Sequence, residues 1–170
     1  MTENRRITSA DLGKPAHAEA TLSLLDAYAR DPMGGGGPLS DYARRHLIDR
    51  LRERPGVHVL LAFVDDLPAG LAICMEGFST FACRPLLNIH DFAVLPQFRG
   101  LGIARDLLAA VEEKANALGC CKITLEVLEG NTPARQLYQA VGFEGYELNP
   151  ALGKAVFLQK KLTATLEGER

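Results

Sequence analysis

The chain has 170 residues, of which 47% are hydrophobic and 24% charged, with a formal net charge of −2. This balance is typical of a globular protein and predicts one domain over residues 1–170 with its own hydrophobic core. Because acidic and basic residues are mixed along the chain, the charge pattern argues against a nucleic-acid surface. No apolar run reaches the length of a transmembrane helix, so no membrane partner is expected.

The cysteine and N-terminal patterns indicate a reducing compartment. Cys74, Cys83, Cys120 and Cys121 form no CxxC pair and do not lie among clustered histidines. They predict neither a disulfide framework nor a zinc site, so no metal is expected. Residues 1–6 are polar and lack the apolar stretch of a secretory signal, which makes the cytoplasm the expected location.

In chain order, hydrophobic periodicity and turn residues predict two helices, three strands, and then helices that alternate with strands. The first helix covers residues 16–30 and ends before four glycines at 34–37, after which Ser40 caps a second helix. This second helix runs to about residue 54. The elements predicted after it are strands over 57–64, 69–75 and 86–94, a helix over 102–118, a strand over 122–128, a helix over 132–141 capped by Thr132, and strands over 142–147 and 154–162. The polar tail over 163–170 is expected to fray. This order predicts an α/β protein of the α+β type.

Residues 97–102, Gln-Phe-Arg-Gly-Leu-Gly, lie between a predicted strand and the long helix. A helix start leaves backbone N–H groups without partners and carries partial positive charge. Gly100 and Gly102 would let a pyrophosphate approach this backbone, and Arg99 adds a guanidinium. The same pattern also fits a plain turn. A Rossmann dinucleotide site is disfavoured, because it would need a third glycine at Arg105 and an acid roughly 20 residues further on.

The pattern Gln97-x-x-Gly100-x-Gly102 resembles motif A of the GNAT superfamily of N-acetyltransferases. A second block downstream resembles the other conserved segment of the superfamily, with matching residues at Leu125, Val127, Asn131, Ala134, Leu137, Tyr138, Gly142 and Phe143. The resemblance covers about residues 57–162. It implies a GNAT fold: a central, mixed, mostly antiparallel twisted sheet with helices on both faces. A splayed pair of parallel strands would form the acetyl-CoA cleft.

The resemblance also implies acetyl-CoA as the cosubstrate and carries residue roles with it. Backbone amides over 99–104 would bind the pyrophosphate, and backbone groups over 92–94 would pair with the pantetheine arm. The cofactor-binding positions are Phe92, Ala93, Val94, Gln97, Arg99, Gly100, Leu101, Gly102, Ile103, Ala104, Asn131 and Arg135.

Two residues are candidates for proton transfer. Tyr138 matches the position of the general acid that protonates the CoA thiolate, although it could instead simply pack the short helix. His90 is a candidate base, since histidine titrates near neutral pH, but a backbone partner could equally satisfy it. In a regular strand, positions 88, 90, 92 and 94 share one face. Asp91 would lie on the opposite face and is interpreted as structural.

The resemblance implies direct acetyl transfer to the primary amine of a small molecule, such as an amino acid, a polyamine or a drug-like amine. Histidine at position 90, where polyamine-type members often have glutamate, puts a polyamine in doubt. By position only, Arg84 is a candidate for binding an anionic group of the acceptor. A protein lysine or N-terminus as acceptor, a non-catalytic acyl-CoA-binding module and a Rossmann oxidoreductase remain alternatives. The resemblance to the GNAT superfamily also implies a homodimer, which is common among its members.

Overall fold

The computed structural model describes residues 4–162 of the chain. The chain falls into two compact units, residues 1–125 and 126–170, so the single domain over 1–170 stays a prediction. Across the described residues, no helix combines the length and the apolar character that crossing a membrane requires.

The first unit contains a five-stranded sheet and three helices. Its elements are β1 (Arg5–Ser9), α1 (Pro15–Arg30), α2 (Asp41–Arg52), β2 (Val57–Val64), β3 (Leu67–Ser79), β4 (Arg84–Val94), a 3-10 turn (Pro96–Phe98), α3 (Ile103–Ala117) and β5 (Ile123–Leu125). The strand order is β1-β2-β3-β4-β5; the first four strands are antiparallel, and β5 runs parallel to β4. The predicted mixed, mostly antiparallel sheet is therefore confirmed.

Helices cover both faces of this sheet because β2 and β3 are apolar at successive positions. Side chains of α1 and α2 pack with one set of strand residues, including Leu61 and Ile73. The helix α3 packs against the other face, where Leu107 is fully buried. Gly70 shows how close this packing is. A Cβ at that position would lie 2.8 Å from the Ala93 carbonyl oxygen and 3.2 Å from Leu107 Cδ1.

The strand β1 was not predicted from the sequence. It pairs antiparallel with β2, from Arg5 opposite Val64 to Ser9 opposite Leu60. Of its five residues only Ile7 is strongly apolar, so the segment has too little periodicity to indicate a strand. Its structure comes from the open edge of β2, whose backbone groups need partners.

A β-bulge interrupts β4 and corrects the predicted arrangement of its side chains. Asp91 lies opposite Ile73 and Ile89 lies opposite Cys74, which leaves His90 as the extra residue. Asn88, opposite Met75, therefore shares the α1 side of the sheet with Asp91. The expectation that positions 88, 90, 92 and 94 share one face was wrong, because the extra residue reverses the alternation beyond it.

The second unit contains α4 (Thr132–Ala140) and a 3-10 turn (Pro150–Leu152). The predicted strands over 142–147 and 154–162 do not form within these described segments. The Ala155 N–H donates to the Tyr146 carbonyl at 3.1 Å, but no ladder extends from this bond. Alternating residues are not sufficient for a strand, which needs a neighbouring backbone along its length. Two smaller predictions also change: β5 is shorter than 122–128, and Asn131, not Thr132, caps α4.

Candidate active site

The turn between β4 and α3 has the geometry of an anion site. Gly100 and Gly102 have φ angles of 80° and 85°, in the left-handed region that disfavours other residues. Gly102 is the N-cap of α3, and the N–H groups of Arg105 and Asp106 donate to its carbonyl at 3.0 and 3.1 Å. The amides over 101–104 precede these helical bonds. Because a helix start favours negative charge, these residues fit the pyrophosphate of acetyl-CoA.

The side chain of Arg99 makes two hydrogen bonds, one to the end of β4 and one to the residue that follows α1. Its Nε donates to the Val94 carbonyl at 3.0 Å, and its Nη2 lies 2.8 Å from Asp31 Oδ2. This hydrogen bond lowers the pKa of Asp31 below the usual range of a carboxyl. The arginine thus links the end of α1 to the turn, whereas the sequence predicted only a contact with the cofactor. Gln97 lies exposed in the 3-10 turn.

Arg5 of β1 also reaches this turn and was missed by the sequence reasoning. Its Nη1 donates to the Leu101 carbonyl and lies 3.3 Å from Asp106 Oδ2. No local signal marks Arg5, because its proximity to the turn depends on the pairing of β1 with β2. The side chain of Ile103 is buried in the core, so only the backbone N–H of this residue could face a ligand.

The parallel pairing of β4 and β5 ends early, as the predicted splayed strand pair requires. The last pair is Ile89 opposite Leu125, whereas β4 continues to Val94. Phe92, Ala93 and Val94 lie beyond the point where this pairing ends. These are the residues whose backbone groups were predicted to bind the pantetheine arm.

Polar groups gather at the bulge, on the α1 side of the sheet. Asn88 Nδ2 donates to Thr124 Oγ1 at 3.0 Å. Burial raises the pKa of Asp91, and the neighbouring His90 partly opposes that rise. Burial also raises the pKa of Tyr28 on α1, and the charge of Asp91 adds to the effect. His90 itself is exposed. A half-buried carboxyl and an exposed imidazole are thus adjacent in the chain at the bulge.

The second unit holds the remaining predicted residues. Tyr138 on α4 is 8% exposed, and its ring meets Phe143 edge-on with a centroid distance of 5.7 Å. Asn131 Oδ1 accepts from the Ala134 N–H at 3.4 Å, and Arg135 Nη1 donates to the Glu129 carbonyl at 3.0 Å. Both side chains therefore have structural contacts within this unit.

Arg84, which the sequence suggested for an anionic group of the acceptor, has a structural contact too. It donates to the Gly119 carbonyl at 3.0 Å, just beyond the C-terminal end of α3. A guanidinium at this position offsets the negative end of the helix dipole.

Known proteins similar to this chain are acetyltransferases. The family model described as "Acetyltransferase (GNAT) family" matches residues 21–143. A thialysine N-epsilon-acetyltransferase of Caenorhabditis elegans is 29% identical over 132 residues, which cover 76% of this chain and 78% of the relative.

Solved structures share the fold. A probable acetyltransferase superposes with a TM-score of 0.77 and 22% identity, covering 92% of this chain and 98% of the other. An aminoglycoside N-acetyltransferase in complex with CoA gives a TM-score of 0.72 and 23% identity, covering 95% and 98%. Because the family model spans more than half of the sequence, this chain belongs to the GNAT family and is an N-acetyltransferase.

Proposed function

We propose that this protein transfers the acetyl group of acetyl-CoA directly to a primary amine of a small molecule. The observation that carries the proposal is the turn at Gly100 and Gly102, which follows the part of β4 that β5 does not pair with and leads into the N-terminus of α3. A helix start at this place favours a site for a phosphate-bearing cosubstrate over the alternative of a plain turn. The structural neighbour that binds CoA supports the same choice of cosubstrate.

The acceptor is a cationic amine. Asp91 is half-buried on the same face of the sheet as Asn88, and a carboxylate there attracts an ammonium group out of water. Two of the similar proteins are named for small amine substrates, thialysine and aminoglycosides. These names favour a small molecule over a protein lysine or N-terminus.

The reaction requires the acceptor nitrogen to be neutral when it attacks. His90, exposed at the bulge, takes the proton from the ammonium group. The nitrogen then forms a bond with the thioester carbonyl carbon, the carbon–sulfur bond breaks, and the nitrogen loses its second proton to water, from which the Tyr138 phenolate regains its own. Tyr138 protonates the departing thiolate. A phenol and a thiol are weak acids of comparable strength, so the free energy of this proton transfer is small. No acyl-enzyme is formed, so none of the four cysteines is needed as a nucleophile.

Calorimetric titration with acetyl-CoA, with NADPH in parallel, tests the cosubstrate. Micromolar binding of acetyl-CoA alone is expected, whereas binding of NADPH alone would overturn the proposal in favour of a dinucleotide site. A thiol-release assay then compares thialysine, lysine, an aminoglycoside and a lysine-containing peptide as acceptors. Turnover of the peptide alone would favour a protein substrate, and binding without any turnover would favour a non-catalytic module. The homodimer and the cytoplasmic location stay predictions; sedimentation analysis tests the first.

A further inference from the structure

Arg5 contacts the anion-binding turn from a strand that no motif includes. Its Nη1 donates to the Leu101 carbonyl, within the segment that joins the two left-handed glycines. A Cβ added to Gly102 would lie 3.1 Å from Arg5 Nη1. The absence of a side chain at Gly102 therefore serves two needs: the positive φ angle and the space that the guanidinium occupies.

This hydrogen bond determines which way one peptide group faces. The C=O of Leu101 and the N–H of Gly102 belong to the same planar trans peptide, so they point in opposite directions. When the Arg5 guanidinium holds the carbonyl on its own side, the Gly102 N–H points away from Arg5. If the peptide turned over, a carbonyl oxygen would replace a donor at the start of α3 and would repel a phosphate.

We propose that Arg5 is a positioning residue for the cosubstrate: by anchoring the Leu101 carbonyl, it keeps the amides at the start of α3 arranged for the pyrophosphate of acetyl-CoA. This inference rests on the proposed function, since it presupposes that the turn binds CoA. It adds a residue of β1 to a site that the motifs confine to residues 92–104, together with Asn131 and Arg135 downstream.

The ion pair between Arg5 and Asp106 does not explain the orientation of the peptide between Leu101 and Gly102. The two side chains are 44% and 46% exposed, and ion pairs this exposed contribute little. The bond to the Leu101 carbonyl is the contact that fixes the backbone of the turn. The two contacts can be separated, because Asp106→Asn weakens the ion pair and leaves the carbonyl bond intact.

The matched control is Arg6, the next residue of β1. It carries the same charge, but it pairs with Asp66 at 3.6 Å and lies over the Phe63 ring at 4.5 Å. Arg6→Gln thus removes one positive charge from the same strand without touching the turn. Arg5→Gln, Arg6→Gln and Asp106→Asn form the test set, with thermal unfolding of each variant to show that it folds.

The experiment compares acetyl-CoA with S-acetylpantetheine, a thioester that has no phosphate. In Arg5→Gln, the Kd and KM for acetyl-CoA are expected to rise, on the order of tenfold or more, because a charge-assisted hydrogen bond is lost. The kcat for acetyl-CoA and the KM for S-acetylpantetheine should stay at the wild-type level, as should all constants of Arg6→Gln and Asp106→Asn.

Equal losses with both thioesters, or a loss in Arg6→Gln or Asp106→Asn as large as in Arg5→Gln, would overturn the role of Arg5. An unchanged KM in Arg5→Gln would do the same. If the wild-type protein itself does not bind acetyl-CoA, the failure belongs to the proposed function and not to Arg5.

Discussion

Tyr138 is the residue on which the proposed proton transfer to the thiolate depends. Its ring is buried and meets Phe143 edge-on, so Tyr138→Phe keeps the packing and removes only the hydroxyl. We expect kcat to fall on the order of a hundredfold while the Kd for acetyl-CoA stays nearly unchanged. Tyr42→Phe, in α2, is the control. An unaffected kcat on a working acceptor would show that Tyr138 only packs the helix.

His90 is tested by the pH dependence of the reaction. A base is needed where the acceptor amine is protonated, so His90→Gln should lower kcat/KM most at neutral pH. The defect should narrow as the pH rises toward the pKa of the amine, because more acceptor is then already neutral. His46→Gln, on the exposed side of α2, should leave the profile unchanged. A defect that is constant across the pH range would contradict the role of His90 as a base.

Asp91 should make the folded protein less stable at neutral pH. Burial raises its pKa above that of an unfolded carboxyl, so the native state binds the proton more tightly. Stability therefore falls as the pH rises from about 4 through the native pKa, and the cost persists above it. We expect Asp91→Asn to have a higher Tm than wild type at pH 7, with the difference vanishing near pH 3.5. A lower Tm at pH 7 would mean that the carboxylate has a stabilising partner.

At the scale of elements, Asp31 connects the glycine-rich loop over residues 33–37 with the turn between β4 and α3. Its Oδ2 accepts from Arg99, and its Oδ1 accepts from the Met33 N–H at the start of the loop. Because Arg99 lowers the pKa of Asp31, this carboxylate stabilises the fold above about pH 4 and ceases to do so as the pH falls through its native pKa.

Asp31→Asn should therefore lower the Tm at pH 7 and have little effect in acid. It should also speed proteolytic cleavage within residues 33–37, since the loop loses its attachment to the turn. The exposed pair of Asp49 and Arg52, at 3.7 Å within α2, provides the control through Asp49→Asn. Equal cleavage rates in wild type and Asp31→Asn would indicate that backbone bonds alone hold the loop.

At the scale of the whole molecule, the two compact units raise the question of how the chain unfolds. If residues 1–170 are one domain, calorimetry should show a single transition whose calorimetric and van't Hoff enthalpies agree. Acetyl-CoA at a hundred times its Kd should then raise the Tm by about 5 to 10 °C. Two separate transitions, of which only one shifts with ligand, would show instead that the units unfold independently.

Much of this fold was predictable from local patterns. The helices α1, α2 and α3 have apolar stripes and clear ends, and β2 and β3 are continuous apolar runs between turn residues, so their signals lie within each segment. The turn at Gly100 and Gly102 was equally visible, because positive φ angles require glycine at those positions. The GNAT family, the glycine turn before α3 and the approximate positions of these elements were thus determined by the sequence itself.

Other features were decided only by the tertiary structure. The strand β1 depends on the open edge of β2, and the bulge that displaces His90 depends on the register between β3 and β4. The contact of Arg5 with the Leu101 carbonyl joins residues 96 positions apart. The strands expected over 142–147 and 154–162 did not form, because alternation provides a strand's side chains but not a partner for its backbone. In each case the deciding interaction lies between distant segments, where no local pattern records it.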